Sequence, residues 1–142
     1  MAYKRIIYCS RYIEENKIEN IFSFLKKARI YNESVGISGY LIFCNGLFLQ
    51  IMEGFAGPLE DLMSKIEKDK RHDNIVFLDS KKIDTLSFDN WNMGFTDISR
   101  DDQSFELKKK LFSISKQEVF DPSTLSGEQA FEMLKVASQN MK

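Results

Sequence analysis

The chain has 142 residues, 43% apolar and 29% charged, with 20 Lys plus Arg against 21 Asp plus Glu and a net charge of -1. This is one ordinary globular domain, or one domain with a tail, and so even a charge balance excludes a dominant electrostatic attraction to nucleic acid or to an acidic membrane. No apolar run approaches the roughly 18 residues of a membrane span; the N-terminus does not read as a signal peptide; and Cys9, Cys44 and a single histidine make neither a disulfide framework nor a zinc site. A reduced, cytoplasmic protein is expected.

Residues 4–10 read as a first strand, apolar on both faces at Ile6, Ile7, Tyr8 and Cys9, and therefore central in a sheet. Ile21, Phe24, Leu25 and Ala28, flanked by Ile18 and Tyr31, follow at helical spacing, and this helix is expected to stop near Asn32, before Gly36. Two apolar runs between Ile37 and Met52 flank Asn45-Gly46, the strongest short-range signal of a hairpin with a type I′ turn. That turn fixes the register. Gly39, Leu41, Phe43, Phe48, Gln50 and Met52 fall on one face; Tyr40, Ile42, Cys44, Leu47, Leu49 and Ile51 fall on the other.

Gly54 and Gly57-Pro58 read as a loop, and Leu59, Leu62, Met63 and Ile66 as a second amphipathic helix closed by the charged stretch 68–72. Ile75 to Leu78 predict a fourth strand. The alternation of Phe88, Trp91, Met93 and Phe95 predicts a short fifth. The order β-α-β-β-α-β-β is that of an α+β, ferredoxin-like sheet with two helices on one face. After Asp97, two C-terminal helices are expected. Phe105, Leu111 and Phe112 mark the first; the second opens with a capping-box pair, Ser126 and Gln129, and carries Ala130, Phe131, Leu134, Ala137 and Met141 on one face. Their apolar stripes need either the open sheet face or a partner.

Few residues stand out chemically. Gln50 lies mid-strand between apolar neighbours; a buried amide wants three or four hydrogen bonds, and one left unmade costs about 1–3 kcal/mol. By itself it reads as a glutamine bonded to backbone or buried water. Gly39 on the same face offers the other reading, a polar group beside a gap that suits a ligand ring. Tyr8 by itself is a core tyrosine, and Asn32 a helix C-cap or an amide facing an imide-like ligand edge. Asp69, Arg71 and His72 make a mixed-charge helix end. Trp91 and Met93, two apart, are placed on one strand face as core. No Walker loop, Gly-x-Gly-x-x-Gly, His-Glu-x-x-His or Gly-x-Ser-x-Gly motif occurs, and His72 has no catalytic partner at a recognisable spacing.

Taken in order, several segments resemble the BLUF family, the sensors of blue light using FAD. They are Tyr8 to Ser10, Ala28 to Asn32, Gly36 to Leu41, Gly46 to Gly54, Ile66 to His72 and Trp91 to Phe95. The resemblance spans about two-thirds of the chain and agrees with the ferredoxin-like order. It implies a domain over 1–97 that holds FAD non-covalently between the two helices, with FMN or riboflavin tolerated, and a C-terminal helical extension over 98–142 for output or oligomerisation.

It also implies roles. Tyr8 donates an electron and a proton to the excited flavin, Gln50 bridges that tyrosine and the flavin N5/O4 edge, and Asn32 bonds the O4/N3 edge. Arg71 reaches the pyrimidine side. Asp69, His72, Tyr31, Leu25 and Ile37 are further flavin contacts, and Lys65 meets the phosphates. Trp91 and Met93 exchange burial near the glutamine. Tyr31 and Asn92 depart from the family pattern, which bears on kinetics. The resemblance points to a sensor that turns over no substrate, acts through a protein partner and is expected to form a homo-oligomer. Two other readings stay open: a light-independent ligand-binding regulatory domain, and an acylphosphatase-like enzyme using Arg11 after the first strand.

Overall fold

The computed structural model describes residues 3–13, 18–99 and 105–139, with the backbone alone for 18–20. Its elements are β1 (Tyr3–Tyr12), α1 (Ile18–Val35), β2 (Ser38–Cys44), β3 (Leu47–Phe55), α2 (Ala56–Lys68), β4 (His72–Ile83), β5 (Gly94–Asp97), α3 (Phe105–Ser115), a 3-10 turn (Pro122–Thr124) and α4 (Gly127–Gln139). One five-stranded sheet runs in the order β4-β1-β3-β2-β5. All its pairings are antiparallel except β2 with β5. This is the ferredoxin-like α+β arrangement with an added edge strand.

The hairpin follows the Asn-Gly rule. Asn45 and Gly46 take φ of 50° and 85°, as a type I′ turn requires, and the register pairs Cys44 with Leu47, Phe43 with Phe48 and Leu41 with Gln50. Period-2 alternation then splits the core. Leu41, Phe43, Phe48 and Met52 pack with Ile21, Leu25, Leu59 and Met63 of α1 and α2. Tyr40, Ile42, Leu49 and Ile51 pack with Leu107, Leu111, Ala130, Met133 and Leu134 of α3 and α4. The C-terminal helices thus cover the open sheet face. The Ser126–Gln129 capping box is reciprocal, at 3.0 and 3.1 Å. Met141 lies outside the described residues.

Four expectations are corrected. First, α1 runs to Val35, so Asn32 is inside the helix and not its cap. The stop is a Schellman turn in which Gly36 (φ 73°) lets the Ile37 amide reach the Asn32 carbonyl at 2.9 Å. Second, no loop separates β3 from α2: Gly54 ends inside β3, and Pro58 sits in the helix's first turn, where its missing N–H costs nothing. Third, Gly39 leaves no gap. A Cβ there would lie 2.1 Å from the Ile51 carbonyl oxygen, so the glycine serves close strand approach.

Fourth, the last strand is only Gly94–Asp97, and Phe88 to Met93 form an irregular segment before it. Trp91 and Met93 therefore do not share a face. Trp91 packs on the α3/α4 side, edge-on to Tyr40 at 6.0 Å, and Met93 is buried on the α1/α2 side. The alternation in the sequence is real, but the backbone amide of Gly39 captures the Trp91 carbonyl at 2.9 Å and turns the chain between them.

Candidate functional site

The β1–β3 register sets Tyr8 directly opposite Gln50, and both are buried (2% and 5% exposed). The Tyr8 hydroxyl donates to Gln50 Oε1. This fixes the amide: its Nε2 donates to Met93 Sδ at 3.3 Å, a weak acceptor. Burial, with the Asp69 carboxylate adding to it, pushes the Tyr8 phenol far above its ordinary value. Tyr8 is therefore a neutral donor across the physiological range.

A cavity of about 230 Å³ opens beside Gln50, between α1 and α2. Its walls are largely apolar, with Phe24, Ala28, Met52, Leu62 and Ile66 among them, and Asn32 is also part of the lining. Asn32 is 1% exposed. Its Nδ2 donates to the Asn92 carbonyl at 2.7 Å, while Oδ1 has no hydrogen-bond partner among the described residues. An orphaned buried acceptor of this kind calls for a donor that the chain does not supply. The helix extension explains the placement, because Asn32 projects from the last turns of α1 over the sheet.

The rim is charged. Asp69 caps α2, and its carboxylate accepts from Arg71 Nε at 2.9 and 3.0 Å and from the Arg71 amide at 2.9 Å. The guanidinium holds Asp69 below the usual carboxylate range and stacks 4.5 Å from the Phe24 ring centre. Lys65 lies 4.6 Å from the Tyr31 ring centre, with Nζ 3.4 Å from its hydroxyl. His72 opens β4 and does not touch the main cavity. Its Nε2 donates to the Ile66 carbonyl at 2.8 Å and its Nδ1 meets the Ser10 hydroxyl at 2.9 Å, which ties α2 to β1. Beside it, a void of about 20 Å³ bordered by Tyr8, Tyr12 and Arg71 has room for one water.

The structure thus gathers Asn32, Gln50, Met93, Asp69, Arg71, Lys65 and Tyr31 around one pocket, with Tyr8 behind its wall, bonded to Gln50. Leu25 and Ile37 are in the core beneath it and are not among the lining residues. Trp91 faces away. Arg11, the basis of the acylphosphatase reading, pairs with Asp73 at 2.7 and 2.9 Å on the exposed surface and is not among the residues lining the pocket. Phe24 and Ala28 escaped sequence reasoning as lining residues, because on the helical wheel they read only as core.

An apolar slot with a charged mouth, an orphaned amide oxygen inside and a glutamine with one weakly used N–H suits a planar apolar ring that carries an imide-like polar edge. Isoalloxazine has that chemistry. No cluster of His, Cys, Asp and Glu able to hold a metal occurs among the described residues. Nor is any described helix long and apolar enough to cross a membrane.

The model of the family described as sensors of blue-light using FAD, BLUF, matches residues 3–94. The alpha subunit of a photoactivated adenylate cyclase from Euglena gracilis is 27% identical over 115 residues, covering 80% of this chain and 11% of that protein. A beta subunit from Euglena longa is 25% identical over 115 residues, covering 80% and 13%. The chain spans about a tenth of the length of these curated relatives. Among solved structures, the photo-activated state of BlsA superimposes with a TM-score of 0.81 at 29% identity, over 93% of this chain and 91% of that one. A bacterial light-regulated adenylyl cyclase gives 0.72 at 30% identity, over 80% and 34%.

Proposed function

Because the chain belongs to the BLUF family, we propose that it is a cytoplasmic blue-light photoreceptor that holds FAD non-covalently in the cavity between α1 and α2 and turns over no substrate of its own. The observation that carries this reading is the Tyr8–Gln50 hydrogen bond at the wall of a pocket with an unpartnered Asn32 Oδ1.

Asn32 Oδ1 would accept from the ring's imide N–H, and Gln50 would face its N5/O4 edge. Arg71, moving off Asp69, would reach the pyrimidine side, and Lys65 the phosphates. Bound flavin, once excited by blue light, supplies a strong oxidant. Tyr8 then gives up an electron, and its proton leaves along the bond to Gln50 Oε1. When both have returned, Tyr8 is chemically unchanged. Gln50 is not: the donor and acceptor ends of an amide are nearly isosteric, so rotation or tautomerisation rewires the network without moving bulk.

A turned amide presents an acceptor to Met93 Sδ where it had presented a donor, and the Met93 contact is lost. That is the step by which light reaches the segment before β5. We assign residues 1–97 to flavin binding and 98–142 to output, toward a protein partner or a second copy of the chain. FMN or riboflavin would be tolerated, since the pocket grips the ring.

The test is an absorption spectrum of the purified protein, dark and after blue light. A flavin spectrum with a small reversible red shift is expected. Failure to bind flavin, even after reconstitution with FAD, would turn the reading toward a light-independent ligand sensor.

A further inference from the structure

Three successive carbonyls before β5 are each held by a donor from another element. Trp91 O accepts from the Gly39 amide at 2.9 Å, Asn92 O from Asn32 Nδ2 at 2.7 Å, and Met93 O from Arg29 Nε at 2.8 Å. Asn92 returns a bond, its Nδ2 to the Ile37 carbonyl at 3.3 Å. The first donor is sheet backbone, and the second belongs to the pocket. The third is a side chain on the exposed face of α1, reaching across 64 residues of sequence.

We propose that Arg29 is a positioning residue, a latch that keeps the Met93 side chain against Gln50 and the Trp91 ring on the opposite sheet face. The inference rests on the photoreceptor reading for its consequence and on the hydrogen bonds alone for its geometry. Gly94 follows at once. A Cβ there would meet the Tyr40 ring at 2.3 Å, so the chain enters β5 along one tight path, and the Met93 peptide is the last point at which it can swing. Among the described residues, the Met93 side chain takes one hydrogen bond, the weak one from Gln50 Nε2. When the Gln50 amide turns, that bond disappears, and the Arg29 bond to the Met93 carbonyl remains alongside the packing of the Met93 side chain in the core. The latch keeps the segment within reach of Gln50, so that the dark arrangement is restored.

The test uses the full chain with Arg29→Ala and Arg29→Lys. Arg29 is exposed, so neither change opens the core. The chain has one tryptophan, so indole emission reports on this segment alone. In flavin-free protein, Arg29→Ala is expected to give steeper acrylamide quenching of Trp91 than wild type, while Arg29→Lys, which keeps a donor, stays near wild type. In flavin-loaded protein, dark recovery of Arg29→Ala is expected to slow about fivefold, the factor that one ordinary hydrogen bond is worth, with the size of the red shift retained. Wild-type quenching in flavin-free Arg29→Ala overturns the latch. If wild type itself binds no flavin or shows no red shift, the photoreceptor reading is what fails, and the quenching comparison still decides on Arg29.

Discussion

Tyr8 and Gln50 are cross-strand partners of β1 and β3, and the phenol of one donates to the amide oxygen of the other inside the core. The consequence is directional. Because Oε1 is taken by Tyr8, Gln50 faces Met93 with its N–H, and the amide orientation is set by a neighbouring strand and not by solvent.

Tyr8→Phe removes the donor and leaves Gln50 Oε1 buried without a partner. A loss of about 1–3 kcal/mol is expected in chemical denaturation, with flavin still bound and no photoconversion. A variant that photoconverts like wild type would remove Tyr8 from the donor role.

Asn32→Asp keeps the shape of the side chain and replaces its Nδ2 donor with an acceptor facing the Asn92 carbonyl. Flavin affinity is expected to fall about tenfold or more, the worth of one buried polar mismatch, as read by fluorescence titration. Unchanged affinity would show that the Asn32 amide contributes nothing to binding.

Tyr8 also sets a pH dependence. In the unfolded chain its phenol ionises near 10.0, and burial holds the folded one neutral well beyond that. A raised folded value favours the fold below the unfolded value, and this advantage is lost as pH rises past it. Urea midpoints are expected to fall more steeply above pH 10 in wild type than in Tyr8→Phe. Parallel slopes would contradict the burial of a neutral phenol.

Glu53 is fully buried. Its carboxylate accepts from Arg5 Nε at 2.9 Å, from the Ser87 amide at 2.6 Å and from the Phe88 amide at 3.1 Å. Arg5 lies 4.4 Å from the Phe131 ring centre, and Lys135 bonds the Ser87 carbonyl at 2.5 Å, so this pair anchors α4 to the segment that leads to Met93. Glu53→Ala strands a buried cation, and about 3–5 kcal/mol should be lost in denaturant unfolding. A change near zero would contradict that anchoring.

The hairpin, its register and the two-faced core were legible because an Asn-Gly turn and period-2 alternation leave no freedom. The capping box of α4 was equally local. Phe88 to Met93 could not be read, since the turn there depends on Gly39, Asn32 and Arg29, all distant in sequence. Gly39 misled for a related reason: a missing side chain looks the same whether it makes room for a ligand or lets two backbones meet. The Arg5–Glu53 pair was invisible because a strand charge ordinarily faces water. At the site, Tyr8, Gln50 and Asn32 stood out as polar residues in apolar settings. Their convergence on one pocket, and the displacement of Leu25, Ile37 and Trp91 from it, needed the packing of α1 over the sheet.

The most direct test is the light-minus-dark absorption spectrum of Gln50→Leu beside wild type, both loaded with FAD. The account expects a reversible red shift in wild type and bound flavin without that shift in Gln50→Leu. A normal red shift and recovery in Gln50→Leu would contradict the claim that the Gln50 amide is the switch.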